Sequence, residues 1–205
     1  MPAKVEFHFD FGSPNAYLAH KLIPQIERRT GARFDYVPIL LGGVFKLTNN
    51  QPPMVQFKGI KNKSEYQKLE MRRFIAKHAL SRFKMNPHFP VNTVQIMRGA
   101  LAAGPHFARY VDVVFQAMWE DGKKMDDPEV IRTTLDAAGL DGQATLAGIG
   151  AQEIKDALIK NTESSVARGT FGAPTFYVGE AIFFGKDSLG AVEEEIIAQG
   201  RNEGR

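Results

Sequence analysis

The chain reads Phe9-Asp10-Phe11-Gly12-Ser13-Pro14-Asn15-Ala16-Tyr17 where a predicted strand gives way to a predicted helix, and this stretch decides its fold. Upstream of it, from Lys4 to Phe11, apolar and polar residues alternate, which is typical of a strand. Serine is a favoured N-cap and proline is favoured at the first helical position, so we expect a helix to begin at Ser13-Pro14. The stretch therefore predicts a strand that delivers a serine hydroxyl to the start of a helix.

The helix is expected to run toward Arg28 or Arg29 and to end before Gly31. Pro24 lies too deep in this span to be a first-turn proline, so it predicts a kink or a break. The segment from Arg33 to Pro38 is predicted to be a second strand. Because one helix of crossover length separates the two strands, we expect them to be parallel, in a right-handed β-α-β unit.

The middle of the chain changes from turn-like to helical patterning. From Leu40 to Pro53, paired glycines, asparagines and prolines indicate turns, and from Ser64 onward the spacing of apolar residues is helical. Further helices are predicted at Thr93–Ala103, Phe107–Glu120, Pro128–Ala138 and Gln152–Ala167. Strand patterning returns at the end of the chain. Two strands are predicted there, Thr175–Val178 and Ala181–Phe184, joined by a tight Gly179-Glu180 turn. A last helix is predicted at Leu189–Gln199, capped by Asp187-Ser188.

The chain contains no cysteine, which is the strongest exclusion that its composition allows. Disulfides, thiolate metal sites, cysteine nucleophiles and dithiol exchange by the protein's own side chains are all ruled out. The five histidines show no metal-ligand spacing, so no metal site is expected. Met1-Pro2-Ala3-Lys4 leads straight into a strand, and no apolar run approaches the ~20 residues of a membrane span, so a cytoplasmic protein without a membrane partner is expected.

The net charge of the chain is +3, and the charged residues are unevenly distributed along it. Between Lys58 and Lys84 there are nine basic residues against two acidic ones, and the remainder of the chain is net acidic. Such a patch can attract anionic ligands, but a solvated helix face is the favoured interpretation. No zinc-finger, basic-zipper or RNA-binding-sheet pattern accompanies it, so no nucleic-acid partner is expected.

Motifs spread over the whole chain now identify a family. In order they are Asp10-Phe11-Gly12-Ser13-Pro14, Gly42-Gly43, Asn49-Asn50-Gln51-Pro52-Pro53, Pro87-His88-Phe89-Pro90, Phe171-Gly172-Ala173-Pro174-Thr175 and Phe183-Phe184-Gly185-Lys186-Asp187-Ser188-Leu189. The sequence resembles 2-hydroxychromene-2-carboxylate isomerases and kappa-class glutathione transferases, of the disulfide-oxidoreductase A branch of thioredoxin-like proteins. The resemblance implies an α/β thioredoxin-like fold with a large helical insertion between its β-α-β and β-β-α halves. The corresponding domains are 1–60 with 170–205, thioredoxin-like, and 61–169, the helical insertion.

The resemblance also implies a function. It implies bound glutathione, a homodimer and a small aromatic substrate, with interconversion of 2-hydroxychromene-2-carboxylate and trans-o-hydroxybenzylidenepyruvate in aromatic (naphthalene) degradation. Two alternatives stay open, namely a kappa-class transferase or peroxidase acting on another electrophile, and a non-catalytic thioredoxin-like binding module.

Two positions are expected to bind the cysteinyl unit of glutathione and its thiol. A helix N-terminus and a hydroxyl donor both favour a thiolate over a thiol, so Ser13 is the expected catalytic residue, with a simple helix cap as the alternative. The resemblance makes Ala173-Pro174 the cis-proline position and implies that the Ala173 backbone pairs with the cysteinyl unit of glutathione. An ordinary trans proline at the start of an edge strand is the alternative.

Four more positions would hold the ends of glutathione, as the resemblance implies. Asp187 would bind the γ-glutamyl ammonium and Ser188 the neighbouring carboxylate, although a helix cap also explains this pair. Asn50 corresponds to an asparagine on a loop over the site. Lys58 corresponds to a lysine that pairs with the glycyl carboxylate, and Lys61 and Lys63 compete for that role.

Several other side chains have open interpretations. Asp10 is either a buried acid or simply the polar position of an alternating strand. Gly12 enlarges the space beside Ser13 and leaves the identity of the substrate open. Trp119 is predicted to be core or dimer surface, and Phe183-Phe184 suits either an aromatic pocket or strand packing.

Overall fold

The computed structural model describes residues 4–203. Residues 1–3 and 204–205, which the domain prediction assigns to the thioredoxin-like part, lie outside the described residues. The strands are β1 (Val5–Phe9), β2 (Phe34–Pro38), β3 (Thr175–Val178) and β4 (Ala181–Phe184). The helices are α1 (Pro14–Thr30), α2 (Leu41–Thr48), α3 (Pro53–Gln56), α4 (Lys63–Lys77), α5 (Val94–Ala102), α6 (Phe107–Trp119), α7 (Pro128–Ala137), α8 (Gly142–Gly148), α9 (Gln152–Ala167) and α10 (Leu189–Glu203).

The four strands form one sheet in the order β2-β1-β3-β4. β1 pairs in parallel with β2, with Phe7 opposite Tyr36, and antiparallel with β3, with Phe7 opposite Phe176. β3 and β4 form the antiparallel hairpin predicted around Gly179-Glu180. The order β-α-β, helices, β-β-α confirms the predicted thioredoxin-like fold with helices between its two halves.

Both faces of β1 are buried, and they differ in polarity. Val5, Phe7 and Phe9 are fully buried on the apolar face, where Phe9 contacts Phe115 of α6 at a ring-centroid distance of 5.6 Å. The polar face carries His8, whose ring bonds to Ser165 of α9 at 2.7 Å. The sheet is therefore the middle layer between helices, and its core continues without a gap into α5, α6 and α7.

The structure differs from two expectations about helices. α1 runs from Pro14 to Thr30 without a break at Pro24, and a kink there stays a prediction. The turn-like segment from Leu40 to Pro53 contains α2, which packs against α9. A Cβ on Gly43 would lie 3.1 Å from Thr162 Cγ2, so this glycine permits the close helix contact and does not mark a turn.

Among residues 4–203, no helix combines the length and the apolar character needed to cross a bilayer. The division into domains at residues 60 and 170 stays a prediction. α9, which falls in the predicted insertion, contacts both α2 and β2.

Candidate active site

Ser13 lies where β1 leads into α1, and its hydroxyl makes two hydrogen bonds. The oxygen accepts the N–H of Ala16 at 3.2 Å, which makes Ser13 the N-cap of α1. The hydroxyl donates to the Ala173 carbonyl at 2.9 Å, across 160 positions of sequence. Ser13 is only 5% exposed. The two motifs that were singled out in the sequence are therefore in direct contact through the predicted catalytic hydroxyl.

Asp10 is a buried acid that organises the loop before Ser13. Its Oδ1 accepts the N–H of Gly12 at 2.8 Å, and its Oδ2 accepts the N–H of Leu41 at 2.7 Å. Burial raises the pKa of Asp10, while these two N–H groups and the Thr93 side chain act in the opposite direction. Of the two interpretations left open by the sequence, the buried acid is correct.

Side chains from α5 and α6 fix the Phe11 backbone, a contact that sequence reasoning missed. The indole N–H of Trp119 donates to the Phe11 carbonyl at 2.8 Å, and the Phe11 N–H points to Met97 Sδ at 3.4 Å. Trp119 is fully buried, so it belongs to the core. No sequence signal indicated this bond, because it joins residues 108 positions apart. The loop that presents Ser13 is thus anchored to the helical segment.

The Ala173-Pro174 peptide bond is cis, as the resemblance implied. The Pro174 carbonyl accepts the N–H of Gly185 at 2.9 Å, which joins this turn to the segment carrying Asp187 and Ser188. In the described part of the chain, the Ala173 N–H donates to no protein acceptor. Among residues 4–203, the backbone of this residue therefore has one N–H without a protein acceptor and one carbonyl that is bonded to the Ser13 hydroxyl.

Asn50 reaches the same turn from the end of α2. Its side-chain N–H donates to the Phe171 carbonyl at 2.8 Å, and its Oδ1 accepts the N–H of Gln51 at 2.8 Å. Asn50 is therefore beside the cis turn, because Phe171 precedes Ala173 by two positions in the chain. Its side chain holds the loop in place.

Asp187 and Ser188 occupy a 3-10 turn directly before α10. Asp187 Oδ2 accepts from Lys186 Nζ at 2.6 Å, and Ser188 donates to the Phe184 carbonyl at 2.6 Å. Asp187 remains 57% exposed, so its carboxylate is accessible to a ligand. Lys186 is only 3% exposed, and sequence reasoning gave it no role.

The three candidate lysines lie before α4 or at its first residue. Lys58, Lys61 and Lys63 are all exposed, and Lys63 lies over the Phe57 ring at 4.9 Å. Among residues 4–203, no hydrogen bond or ion pair joins the Lys58 side chain to the other candidate residues. The choice among these lysines stays a prediction.

One buried side-chain acceptor without a hydrogen-bond partner is close to Ser13 in sequence. Asn15 Oδ1 is buried and has no hydrogen-bond partner among the described residues. Asn15 is the second residue of α1, so this acceptor belongs to the same helix end as the Ser13 hydroxyl. No group of three or more metal-ligating side chains occurs in residues 4–203.

Comparisons with known proteins show the family to which the chain belongs. The family model described as DSBA-like thioredoxin domain matches residues 4–197. The chain belongs to the DSBA-like thioredoxin family. This DSBA-like chain is 27% identical over 201 residues to a 2-hydroxychromene-2-carboxylate isomerase of Pseudomonas putida, a match that covers 96% of this chain and 94% of the relative.

Two further matches agree with the resemblance seen in the motifs. Glutathione S-transferase kappa 1 of Homo sapiens is 22% identical over 191 residues, covering 85% of this DSBA-like chain and 80% of the relative. A solved structure of a 2-hydroxychromene-2-carboxylate isomerase matches with a TM-score of 0.81 at 25% identity, covering 98% of this chain and 97% of that one. The predicted family is confirmed, and the relatives bear the names of enzymes.

The chemistry open to this DSBA-like site follows from its donors. The N-terminus of α1 carries partial positive charge, and the Ser13 hydroxyl adds a directed donor, so the site favours a small anion or a thiolate. The chain has no cysteine to provide that thiolate. A thiolate at this site would therefore have to come from a ligand.

Proposed function

We propose that this protein is a glutathione-dependent isomerase that interconverts 2-hydroxychromene-2-carboxylate and trans-o-hydroxybenzylidenepyruvate in the degradation of aromatic compounds. The observation that carries the proposal is the Ser13 hydroxyl at the start of α1, bonded to the Ala173 carbonyl in a chain without cysteine. Similarity over nearly the full length to proteins named as this isomerase supports the choice of reaction.

The residues of the cluster fit the groups of glutathione. The Ala173 N–H is a free donor and the Ala173 carbonyl an acceptor, which suits the backbone of the cysteinyl unit. The exposed Asp187 carboxylate suits the γ-glutamyl ammonium, and Ser188 and Asn50 lie on the segments that flank it. The basic patch that contains Lys58 suits the glycyl carboxylate.

Ser13 has one proton to donate, and the mechanism depends on where it points. In the structure this proton goes to the Ala173 carbonyl. To stabilise a thiolate the hydroxyl must turn toward sulfur, and the Ala173 carbonyl then becomes free to accept the N–H of the cysteinyl unit. When bound, glutathione would supply a thiolate that adds reversibly to the conjugated carbon of the substrate and leaves again, so that it is not consumed.

An exposed aromatic pair lies beside these residues and supports an aromatic substrate. Phe171 and Phe184 are 44% and 46% exposed, and their ring centroids are 4.5 Å apart. Their carbonyls accept the side-chain hydrogen bonds of Asn50 and Ser188, so the pair adjoins the proposed cofactor residues. Tilted rings of this kind offer a π surface to a flat aromatic acid.

The proposal is tested in two steps. Mass analysis of ligand released from the purified protein, together with calorimetric titration, should detect glutathione binding. An absorbance assay with 2-hydroxychromene-2-carboxylate should then show conversion that requires catalytic glutathione and leaves its concentration unchanged. S-methylglutathione, which lacks the thiol, is the matched control and should bind and inhibit.

The two alternative functions, a kappa-class transferase and a non-catalytic binding module, predict different results in binding and activity assays. Rapid consumption of glutathione with 1-chloro-2,4-dinitrobenzene, without isomerisation, would establish the kappa-class transferase in place of the isomerase. No binding of glutathione at all would establish the non-catalytic binding module. The homodimer and the cytoplasmic location belong to the proposal as well, and light scattering on the eluting protein tests the former.

A further inference from the structure

The junction between α4 and the turn before α10 is built around one buried lysine. Lys186 Nζ lies 2.6 Å from Asp187 Oδ2 and 3.9 Å from Glu70 Oε1 of α4. It also lies 4.7 Å from the centroid of the Phe74 ring, one helical turn after Glu70. A single ammonium is therefore placed between two carboxylates, close to one and within reach of the other.

The face of α4 that meets this turn is defined by three side chains. Glu70, Phe74 and His78 recur at every fourth residue, and the Phe74 and His78 rings are 4.5 Å apart. Burial and Lys77 lower the pKa of His78, and the negative charge of Asp187 opposes them. Asp187 is thus close enough to α4 to act on its far end as well.

The burial of the three charged groups is unequal. Lys186 is 3% exposed, whereas Glu70 and Asp187 are 46% and 57% exposed. Burial of the Lys186 side chain and the Phe74 ring beside its ammonium restrict this group, so the ammonium can move only a short way. Together the three groups carry a net charge of −1, which one additional ammonium would neutralise.

We propose that Glu70 and Lys186 are positioning residues for the ligand ammonium, and that Lys186 passes from Asp187 to Glu70 when that ammonium binds. The inference rests on the proposed function, in which Asp187 receives the γ-glutamyl ammonium. Two ammonium groups on one carboxylate repel each other, and Glu70 gives Lys186 a second partner within 3.9 Å. Each carboxylate then ends with one ammonium, and the ligand binds without leaving Lys186 unpaired.

The test compares two ligands that differ by one charge. Glutathione carries the ammonium, and N-acetylglutathione does not. Replacing Glu70→Gln leaves Lys186 with Asp187 as its sole partner in the trio, so the affinity for glutathione should fall about threefold to fivefold, as expected for a half-exposed ion pair. The affinity for N-acetylglutathione should not change. Glu65→Gln is the matched control, since Glu65 is on α4 but pairs with Lys68, and it should change neither affinity.

A second variant separates this device from a general effect of charge or folding. Lys186→Met keeps an unbranched side chain at this buried position but removes the competing ammonium, so adding Glu70→Gln in that background should change glutathione affinity less than twofold. Thermal unfolding verifies that each variant is folded. Equal weakening of both ligands by Glu70→Gln, or an undiminished effect in the Lys186→Met background, overturns the inference alone. Failure of the unmodified protein to bind glutathione overturns the proposed function and this inference together.

Discussion

Replacing Ser13→Ala removes one hydroxyl that makes two contacts, and the size of each loss follows from the structure. The N-cap bond to the Ala16 N–H is worth about 1 kcal/mol. Loss of the bond to the Ala173 carbonyl leaves a buried acceptor unpaired, which costs about 1–3 kcal/mol. We expect the free energy of unfolding to fall by about 2–4 kcal/mol, or a melting temperature lower by roughly 4–16 °C for a chain of this size.

The same substitution should reduce turnover for a separate reason. Removing one preorganised donor from an oxyanion costs about 10²–10³-fold, and sulfur accepts hydrogen bonds less strongly, so we expect a loss of about 10- to 100-fold in kcat. Because the hydroxyl stabilises the thiolate, its removal raises the pKa of the bound thiol. The defect should therefore shrink as pH rises toward the ordinary thiol value of about 8.5. The measurement is kcat against pH in the chromene assay at saturating glutathione.

Two further variants separate the chemical role of Ser13 from its role as a cap. Ser13→Thr keeps both the hydroxyl and the cap and should retain most of the turnover. Asp141→Ala removes a cap of the same geometry from α8, where Asp141 Oδ1 accepts the Ala144 N–H at 2.7 Å, and it should lower stability but not turnover. If Ser13→Ala lost stability like Asp141→Ala and kept full turnover at every pH, the assignment of Ser13 as the catalytic residue would be refuted.

Three more predictions follow from individual contacts. Trp119→Phe deletes the donor to the Phe11 carbonyl, so stability should fall by about 1–3 kcal/mol and kcat should fall with little change in the KM for glutathione, as melting and steady-state kinetics would show. Burial raises the pKa of Glu6, but hydrogen bonds from His8, Lys4 and Arg168 outweigh it and lower this pKa to about 2. Stability from Glu6, roughly 3 kcal/mol at most, is therefore present above about pH 4.5 and lost toward pH 2, and Glu6→Gln should flatten urea midpoints across that window. Gly99→Ala should destabilise the protein by about 1–3 kcal/mol despite better helix propensity, since the new Cβ would overlap the Tyr110 hydroxyl, and urea unfolding measures this.

The elements with strong local signals were predictable from the sequence. Alternation marks β1, Ser13-Pro14 marks the start of α1, and the Gly179-Glu180 turn marks the hairpin of β3 and β4. α2 was not predicted, because two glycines near its start weaken the local preference and its packing on α9 restores it. α8 was missed although the Asp141 cap was a usable signal, since the helix is only seven residues long.

The site could be predicted only in part, because its contacts join distant segments. Hydrogen bonds join Ser13, Asn50 and the segment before Asp187 to the cis turn, but the Ser13 bond to Ala173 spans 160 positions and no local pattern encodes it. The choice among the three candidate lysines could not be predicted for a different reason. Lys58, Lys61 and Lys63 have the same charge and similar exposure, so neither pattern nor burial can select among them.

The alternating pattern of β1 predicts the strand correctly but does not predict that its polar face is buried. Alternation often means that one face of a strand meets water, yet Glu6, His8 and Asp10 are 8%, 3% and 1% exposed. Each is satisfied instead by the protein, because Arg168 and Ser165 near the end of α9 bond to Glu6 and His8, and backbone N–H groups bond to Asp10. A slip of one residue in β1 would expose the phenylalanines and leave these polar groups unpaired. The polar face therefore fixes the register of the strand that leads to Ser13, and this role for buried charge is visible only once α9 is seen to lie on it.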